Sequence, residues 1–351
     1  KRDMLIIAPD RATIQEYRRR QKDILKQKRE LNRLKTSRAV TRDRKRISLL
    51  ANIELPADVR AAAQAGAEGI GLYRTEFLFM NRPEPPNEEE QFRSYVKVIK
   101  SLPGKPVTIR TLDLGADKQV DGGRAGAAIT INPALGLRAV RLCLHDTTLF
   151  RPQLRAILRA SAFGKVRMMI PMLSSQEELH RVLDLIDETK SDLKRARIKF
   201  NAKIPIGGMI EVPAAAISAD LFAPYLDFFS IGTNDLIQYT LAIDRVDDAV
   251  NYLYDPLHSS VLRLIAITIQ AGKQARIPVA MCGEMAGDPR YTRLLLGLGL
   301  TEFSMHPATM LEVKKIVRES NTAQLTRFAR DLMKVRDIQE VHARVEKQSR
   351  L

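Results

Sequence analysis

Five short β-rich runs of this chain end in residues able to carry charge or move a proton. Arg74 and Glu76 close GLYRTE, Arg110 and Asp113 close VTIRTLD with Lys118 five residues on, and Glu211 closes IPIGGMIE. Asn234 and Asp235 close DFFSIGTND, and Cys282 and Glu284 fall in VAMCGEM. Glu211 and Asp235 are 24 residues apart, one strand-plus-helix unit. In a parallel sheet they would take equivalent positions on neighbouring strands about 5 Å apart. Two carboxylates with no histidine or thiolate beside them suit a hard divalent cation such as Mg²⁺, which leaves its other positions to water and phosphate oxygens. The same pair also fits buried acids answering nearby arginines. Arg74, Arg110, Lys118 and the later Arg138 and Arg245 are more cations than two carboxylates require, and together they imply a polyanionic ligand. Guanidinium forks grip phosphate and carboxylate oxygens at two points, whereas lysine offers a point charge. Strand parity favours Arg74 and Arg110; Arg138 and Arg245 fit solvated helix or loop arginines as well. Cys282 precedes a glycine, which lets the backbone approach a ligand, although a strand cysteine is ordinarily a small buried hydrophobe. Cys143, inside RLCLH, reads as helical core. Of the scattered histidines, His258 and His306 could line the same mouth, although both fit the commoner role of a satisfied structural histidine better.

Residues so far apart in sequence need a scaffold that brings strand ends together. Eight β-rich runs can be drawn, at 48–54, 69–76, 107–113, 165–172, 204–211, 227–235, 279–285 and 302–306. Helical stretches separate them: 58–65, 88–100, 149–162, 176–195, 213–221, 259–274 and 289–296. Eight strands each followed by a helix is the count of a (β/α)₈ TIM barrel, whose functional residues gather at the C-terminal ends of the strands. A doubly wound sheet fits less well, because no GxGxxG follows the first strand and the polar residues end many strands instead of flanking one switch point. The helices after His306 should pack outside the barrel.

The 351 residues carry a formal charge of +16, with 45% hydrophobic and 28% charged residues. That balance describes a globular protein with a full core and excludes wholesale disorder. The charge is concentrated: residues 1–47 hold 17 Lys+Arg against 6 Asp+Glu. Within them Ile14, Tyr17, Ile24, Leu31 and Leu34 form a narrow apolar stripe, so the segment reads as a basic linker helix. It lacks the interleaved aromatics that stack on bases, which disfavours a nucleic-acid arm. The opening LIIAP looks like the last strand of an upstream domain. The expected division is therefore 1–47, linker helix and remnant of an upstream domain, and 48–351, barrel with C-terminal helices. No run is long and apolar enough for a membrane span, and charge interrupts the N-terminus too soon for a signal peptide. Two cysteines make no disulfide framework. The reading is a cytoplasmic protein.

The motifs GLYRTEFLF, IRTLDLGADKQ, NPALGLRAVR, MIEVPAAA, FFSIGTNDLIQYTLAIDR, YDPLH and MCGEMAGDP occur in this order. Together they resemble the enzyme I family of the bacterial phosphoenolpyruvate:sugar phosphotransferase system, the phosphoenolpyruvate-protein phosphotransferases, from about Ser48 to His306. The resemblance implies a C-terminal barrel that binds phosphoenolpyruvate and Mg²⁺ and forms a homodimer, acting in the first step of the phosphotransferase system, in its sugar or its nitrogen-related branch. It places Arg74 and Arg110 on the phosphate, with Lys118 and Arg138 in matching motifs, and Arg245 on the substrate carboxylate. It makes Glu211 and Asp235 the metal ligands, Asn234 a substrate contact and Cys282 the proton donor. The phosphoryl group would pass to a histidine on an N-terminal domain and from there to an HPr-type carrier; the Thr-Ser-His context of that histidine does not occur here. The stretch DGGRAGAAITINPALGLR is richer in Gly and Ala than the family pattern. Related alternatives are the C-terminal domains of pyruvate phosphate dikinase and phosphoenolpyruvate synthase, which share the barrel. From other classes come a non-catalytic phosphoenolpyruvate-sensing module and a basic-armed nucleic-acid binder.

Overall fold

A computed structural model of the chain describes residues 7–114 and 134–351. Lys118 and most of the Gly/Ala-rich stretch lie outside the described residues, as does the start of LIIAP; its described part, Ile7 to Pro9, is not strand.

Eight parallel strands close into a barrel in chain order, with the last paired to the first. They are β1 (Ser48–Ile53), β2 (Ile70–Arg74), β3 (Val107–Arg110), β4 (Val166–Ile170), β5 (Ile206–Ile210), β6 (Phe228–Ile231), β7 (Val279–Met281) and β8 (Glu302–Met305). Every expected run contains its strand, so the (β/α)₈ reading holds. β3, β5 and β6 are buried along their whole length, as parallel strands covered on both faces must be. The side chains of Leu72, Met169, Met209, Phe228 and Cys282 form a small cluster of their own, distinct from the large core that joins strands to helices. Lower in the barrel Arg167 on β4 reaches Glu302 on β8 at 3.4 Å and lies over the Phe228 ring.

The strands are shorter than the expected runs, always at the C-terminal side, and this changes where the chemistry stands. Asn234 and Asp235 do not end β6; they lie in the first turn of the helix Thr233–Leu241. Glu284 likewise opens the short helix Glu284–Gly287 after β7. The physical reason is that ladder pairing stops once side chains turn toward the mouth, and the loop residues take their hydrogen bonds from side chains and helix starts instead. The expected helix at 213–221 is two, Pro213–Ile217 and Ala219–Phe222, separated at Ser218. The other helices begin where capping residues dictate: Asn87 and Ser175 each accept from the third residue of their helix while Glu90 and Glu178 reach back. After β8 the helices Met310–Glu319, Thr322–Leu332 and Ile338–Ser349 pack on the outer helix Pro289–Leu298, outside the barrel as expected.

The basic N-terminal segment forms the helix Arg11–Asn32, largely exposed. The residues after it are tied down: Ala39 and Ile47 join the main core, and buried Lys314 donates to the Lys35 carbonyl at 3.2 Å. Among the described residues no helix is long and apolar enough to cross a membrane. Gly66, with φ at +74°, presses against this segment, so that a Cβ there would lie 2.2 Å from the Lys35 carbonyl oxygen. Gly66→Ala combines a left-handed backbone with that clash and should cost at least about 2 kcal/mol. Thermal unfolding would register this as a clear drop in Tm; an unchanged Tm would mean that the segment is not held as described.

Candidate active site

Three carboxylates converge at the C-terminal mouth. Asp113 follows β3, Glu211 follows β5 and Asp235 stands at the start of the helix after β6; each offers an oxygen, and these oxygens lie within 4.8 Å of one another. The sequence pointed to two of the three. Asp113 reads in the sequence as a strand-end residue, but its membership depends on how the barrel brings β3 toward β5 and β6, which spacing alone does not express. Glu211 is 2% exposed, and the backbone N–H of Met172 donates to its Oε1 at 2.7 Å. Burial, then the charges of Asp235 and Asp113, push its carboxyl well above the usual range, against the pull of Arg110 and Arg138. An oxygen-only set of crowded, buried acids is the donor chemistry of a hard divalent cation, so the residues present fit one.

Two guanidinium groups are built into this acidic cluster. Arg110, at the end of β3, is buried between Glu76, with which it forms an ion pair, and Asp113 at 2.8 Å, and it also meets the Met209 sulfur at 3.7 Å. Arg138 donates to Asp113 at 2.8 Å, to Asp235 at 3.4 Å and to the Tyr239 hydroxyl at 3.1 Å. Asp113 therefore bridges the two arginines. Burial alone would make each arginine easier to deprotonate, but the surrounding carboxylates outweigh it and hold both more firmly charged than usual. Burial raises the pKa of Glu76, with Arg110 opposing. Among the described residues, the Nε atoms of both arginines and Oε2 of Glu76 are buried without a hydrogen-bond partner. Polar atoms held this way mark a site prepared for something other than its own stability.

The remaining expected residues line the rim. Arg74 pairs with Glu54 at 2.8 Å. Arg245 lies 3.7 Å from Glu284, and Glu284 exchanges two hydrogen bonds with Asn234, at 3.0 and 2.9 Å. Glu284 thus links two residues that the sequence had listed separately. Cys282 directly follows β7 and is 3% exposed. Its thiol is pushed up to about 11 by burial, with the Ser230 hydroxyl opposing, so at neutral pH it carries its proton. A cavity of about 760 Å³ opens beside it, lined by Asn52, Glu54, Arg74, Cys282, Glu284 and His306 among others. His306 thus reaches the mouth region, whereas His258 caps the helix Ser259–Ala275. Cys143 is buried core, as its setting suggested.

Fold and site together define a (β/α)₈ barrel whose mouth holds arginines, an acid cluster of cation-binding type and a buried thiol. Residues 28–322 match the family described as PEP-utilising enzyme, PEP-binding domain, and the chain belongs to that family. Curated relatives agree. The chain is 49% identical over 338 residues to a phosphoenolpyruvate-protein phosphotransferase of Cupriavidus necator and 43% identical over 337 residues to one of Staphylococcus carnosus, in both cases covering 96% of this chain and 58% of the relative. A Listeria monocytogenes protein of the same name is 42% identical over 343 residues, 98% of this chain and 60% of its own. The chain thus spans somewhat over half the length of these relatives.

The raised Glu211 carboxyl has a consequence for stability. A group whose folded pKa lies above its unfolded value stabilises the fold below the unfolded value, about 4.3 for glutamate, and that contribution is lost as pH rises through the folded value. The cation-free protein should therefore lose stability as pH rises above the ordinary glutamate range. Glu211→Gln, which can still accept from Met172, should flatten this fall and melt higher at neutral pH in the presence of a chelator. A variant that melts lower than the parent across the whole range would contradict the charge crowding described.

Proposed function

We propose that this chain is the phosphoenolpyruvate-binding part of a phosphoenolpyruvate-protein phosphotransferase, with a linker helix and remnant of an upstream domain in 1–47 and a barrel with C-terminal helices in 48–351. The observation that carries the reading is the meeting of Asp113, Glu211 and Asp235 with Arg110 and Arg138, next to a thiol that keeps its proton. Glu211 and Asp235, with Asp113 beside them, would hold Mg²⁺. Such an ion supplies charge neutralisation for phosphate and carboxylate oxygens and a template for the substrate.

The side chains divide the rest of the work. Arg74 and Arg110, with Lys118 and Arg138, hold the phosphate and spread the charge of a loose phosphoryl transition state. Arg245 holds the substrate carboxylate and Asn234 contacts the substrate. The bond between phosphorus and the enol oxygen breaks, and the phosphoryl group passes to a histidine nitrogen on a domain outside this chain, then to an HPr-type carrier. The enol oxygen becomes a ketone as carbon three takes the Cys282 proton, giving pyruvate; water then reprotonates the thiolate. A donor for carbon must be protonated at the moment of transfer, and burial keeps this thiol so. Active protein would be a cytoplasmic homodimer. The names of the relatives favour this reading over a pyruvate phosphate dikinase or phosphoenolpyruvate synthase.

Calorimetric titration with phosphoenolpyruvate should show binding that depends on Mg²⁺ and disappears in Glu211→Ala. Unchanged affinity in that variant would remove Glu211 from the metal site. Cys282→Ala should bind phosphoenolpyruvate and Mg²⁺ normally yet fail to exchange the methyl protons of pyruvate with solvent, a reaction followed by proton NMR in D₂O.

A further inference from the structure

A proton donor to a trigonal carbon has to be held over one face of it, and a cysteine has a single side-chain torsion ahead of its sulfur. Where the thiol points is therefore set by how the backbone of that residue is held, together with the thiol's own contact with the Ile231 carbonyl at 3.7 Å. The Cys282 backbone is fixed on its amide side by β6, through its N–H to the Ile231 carbonyl at 3.0 Å. On its carbonyl side β7 has already ended, and no ladder bond is at hand. The carbonyl is taken instead by a side chain: Asn52 Nδ2, from β1, donates to it at 2.9 Å. β1 is not the neighbour of β7; β8 stands between them. Asn52 spans that gap with support from β8, where Ser304 Oγ donates to Asn52 Oδ1 at 2.5 Å. Ser304 is fully buried. By occupying the amide oxygen, its hydroxyl turns the amide nitrogen toward Cys282. The next residue is confined as well, since a Cβ on Gly283 would fall 1.9 Å from Thr233 Oγ1.

We propose that Asn52, oriented by Ser304, is a positioning residue that aims the Cys282 thiol at carbon three of the substrate. The inference rests on Cys282 being the proton donor of the proposed function, and it goes further by naming what holds that donor in place. Asn52 lines the same cavity as Cys282, so its role is exerted beside the reacting carbon and not deep in the barrel.

Exchange of pyruvate methyl protons in D₂O with Mg²⁺ reads the alignment directly. In each cycle the thiolate takes a proton from carbon three, the electrons of that bond move to the carbonyl oxygen as enolate, the thiol exchanges with solvent, and a deuteron returns to carbon. Asn52→Ala should slow exchange roughly ten- to a hundredfold, the scale of a donor misplaced by about an ångström. The Kd for phosphoenolpyruvate with Mg²⁺ should change by less than about twofold, since Asn52 touches the donor and not the anion-binding arginines. Ser304→Ala should slow exchange less, and Asn52→Ala/Ser304→Ala no more than Asn52→Ala alone, because both act through one contact. Asn52→Asp keeps the shape and the acceptor for Ser304 but faces the Cys282 carbonyl with an oxygen; should Asn52→Ala not fold, Asn52→Asp carries the test with the same expected loss. Wild-type exchange in the folded Asn52 variants, while Cys282→Ala has lost it, would overturn the positioning role and leave the function standing. So would a parallel loss of exchange and phosphoenolpyruvate affinity, which would make Asn52 a substrate contact. Full exchange in Cys282→Ala, or none in the unaltered chain, would instead overturn the reading of Cys282 beneath it.

Discussion

The arrangement depends on like charges being forced together out of water. Glu211 is buried among Asp113 and Asp235, and its carboxyl is raised first by burial and then by the charges of those two neighbours. Arg110 and Arg138 relieve the crowding only in part. Such a cluster destabilises the fold that contains it, and the structure that tolerates it must be rigid for other reasons. A closed ring of parallel strands is rigid in this way. Every strand is hydrogen-bonded on both sides, the interior holds Leu72, Met169, Met209 and Phe228, and the Arg167–Glu302 pair crosses it below. The polar mouth is carried by a closed ring of strands with a largely apolar filling.

The same division explains what could be read from sequence. Strands such as VTIR and FFSI are buried on both faces and show as continuous β-rich runs, so all eight are legible in the sequence. Their C-terminal limits could not. The residues that follow each strand keep strand-like composition because they face a crowded mouth, and whether they pair in a ladder or open a helix is a tertiary matter. Asn234 and Asp235 were assigned to β6 for that reason, although they begin a helix. Asp113 was visible as a strand-end acid, but its membership of the cluster comes from the closure of the barrel. Asn52 was passed over within SLLANIE. Nothing local distinguishes an asparagine facing solvent from one whose partners are 230 and 252 residues away. Glu284 was noted only as a neighbour of Cys282, and its link to Asn234 and Arg245 is likewise a product of the fold.

Cys282 shows how environment changes the meaning of a residue. A thiol activated as a nucleophile is exposed and has its pKa lowered by nearby cations. Here Arg110 and Arg74 do pull in that direction, but burial outweighs them and the proton stays on sulfur. The site has the opposite character: a buried thiol that its surroundings hold in the protonated form, with Leu72, Met169, Met209 and Phe228 supplying the apolar setting. In the proposed reaction such a thiol would serve as the acid for the enolate carbon that forms as the phosphoryl group leaves.

The overall charge of +16 is a poor guide to how an anion would be held. Much of the excess lies in the N-terminal segment. At the mouth, each of the described arginines already has a carboxylate partner: Arg74 with Glu54, Arg110 with Glu76 and Asp113, Arg138 with Asp113 and Asp235, and Arg245 with Glu284. A phosphorylated acid entering this site would have to exchange those partners or add its negative charge to theirs, and in a buried setting the second course is prohibitive without further positive charge. A divalent cation on the acid cluster would provide that charge and turn the carboxylates from competitors of the substrate into its support. Cation and anion should then each bind more tightly in the presence of the other, by the same factor in both directions. In the proposed function, a metal dependence of substrate binding would follow from the pairing of these described arginines with carboxylates, whatever the cation later contributed to the reaction.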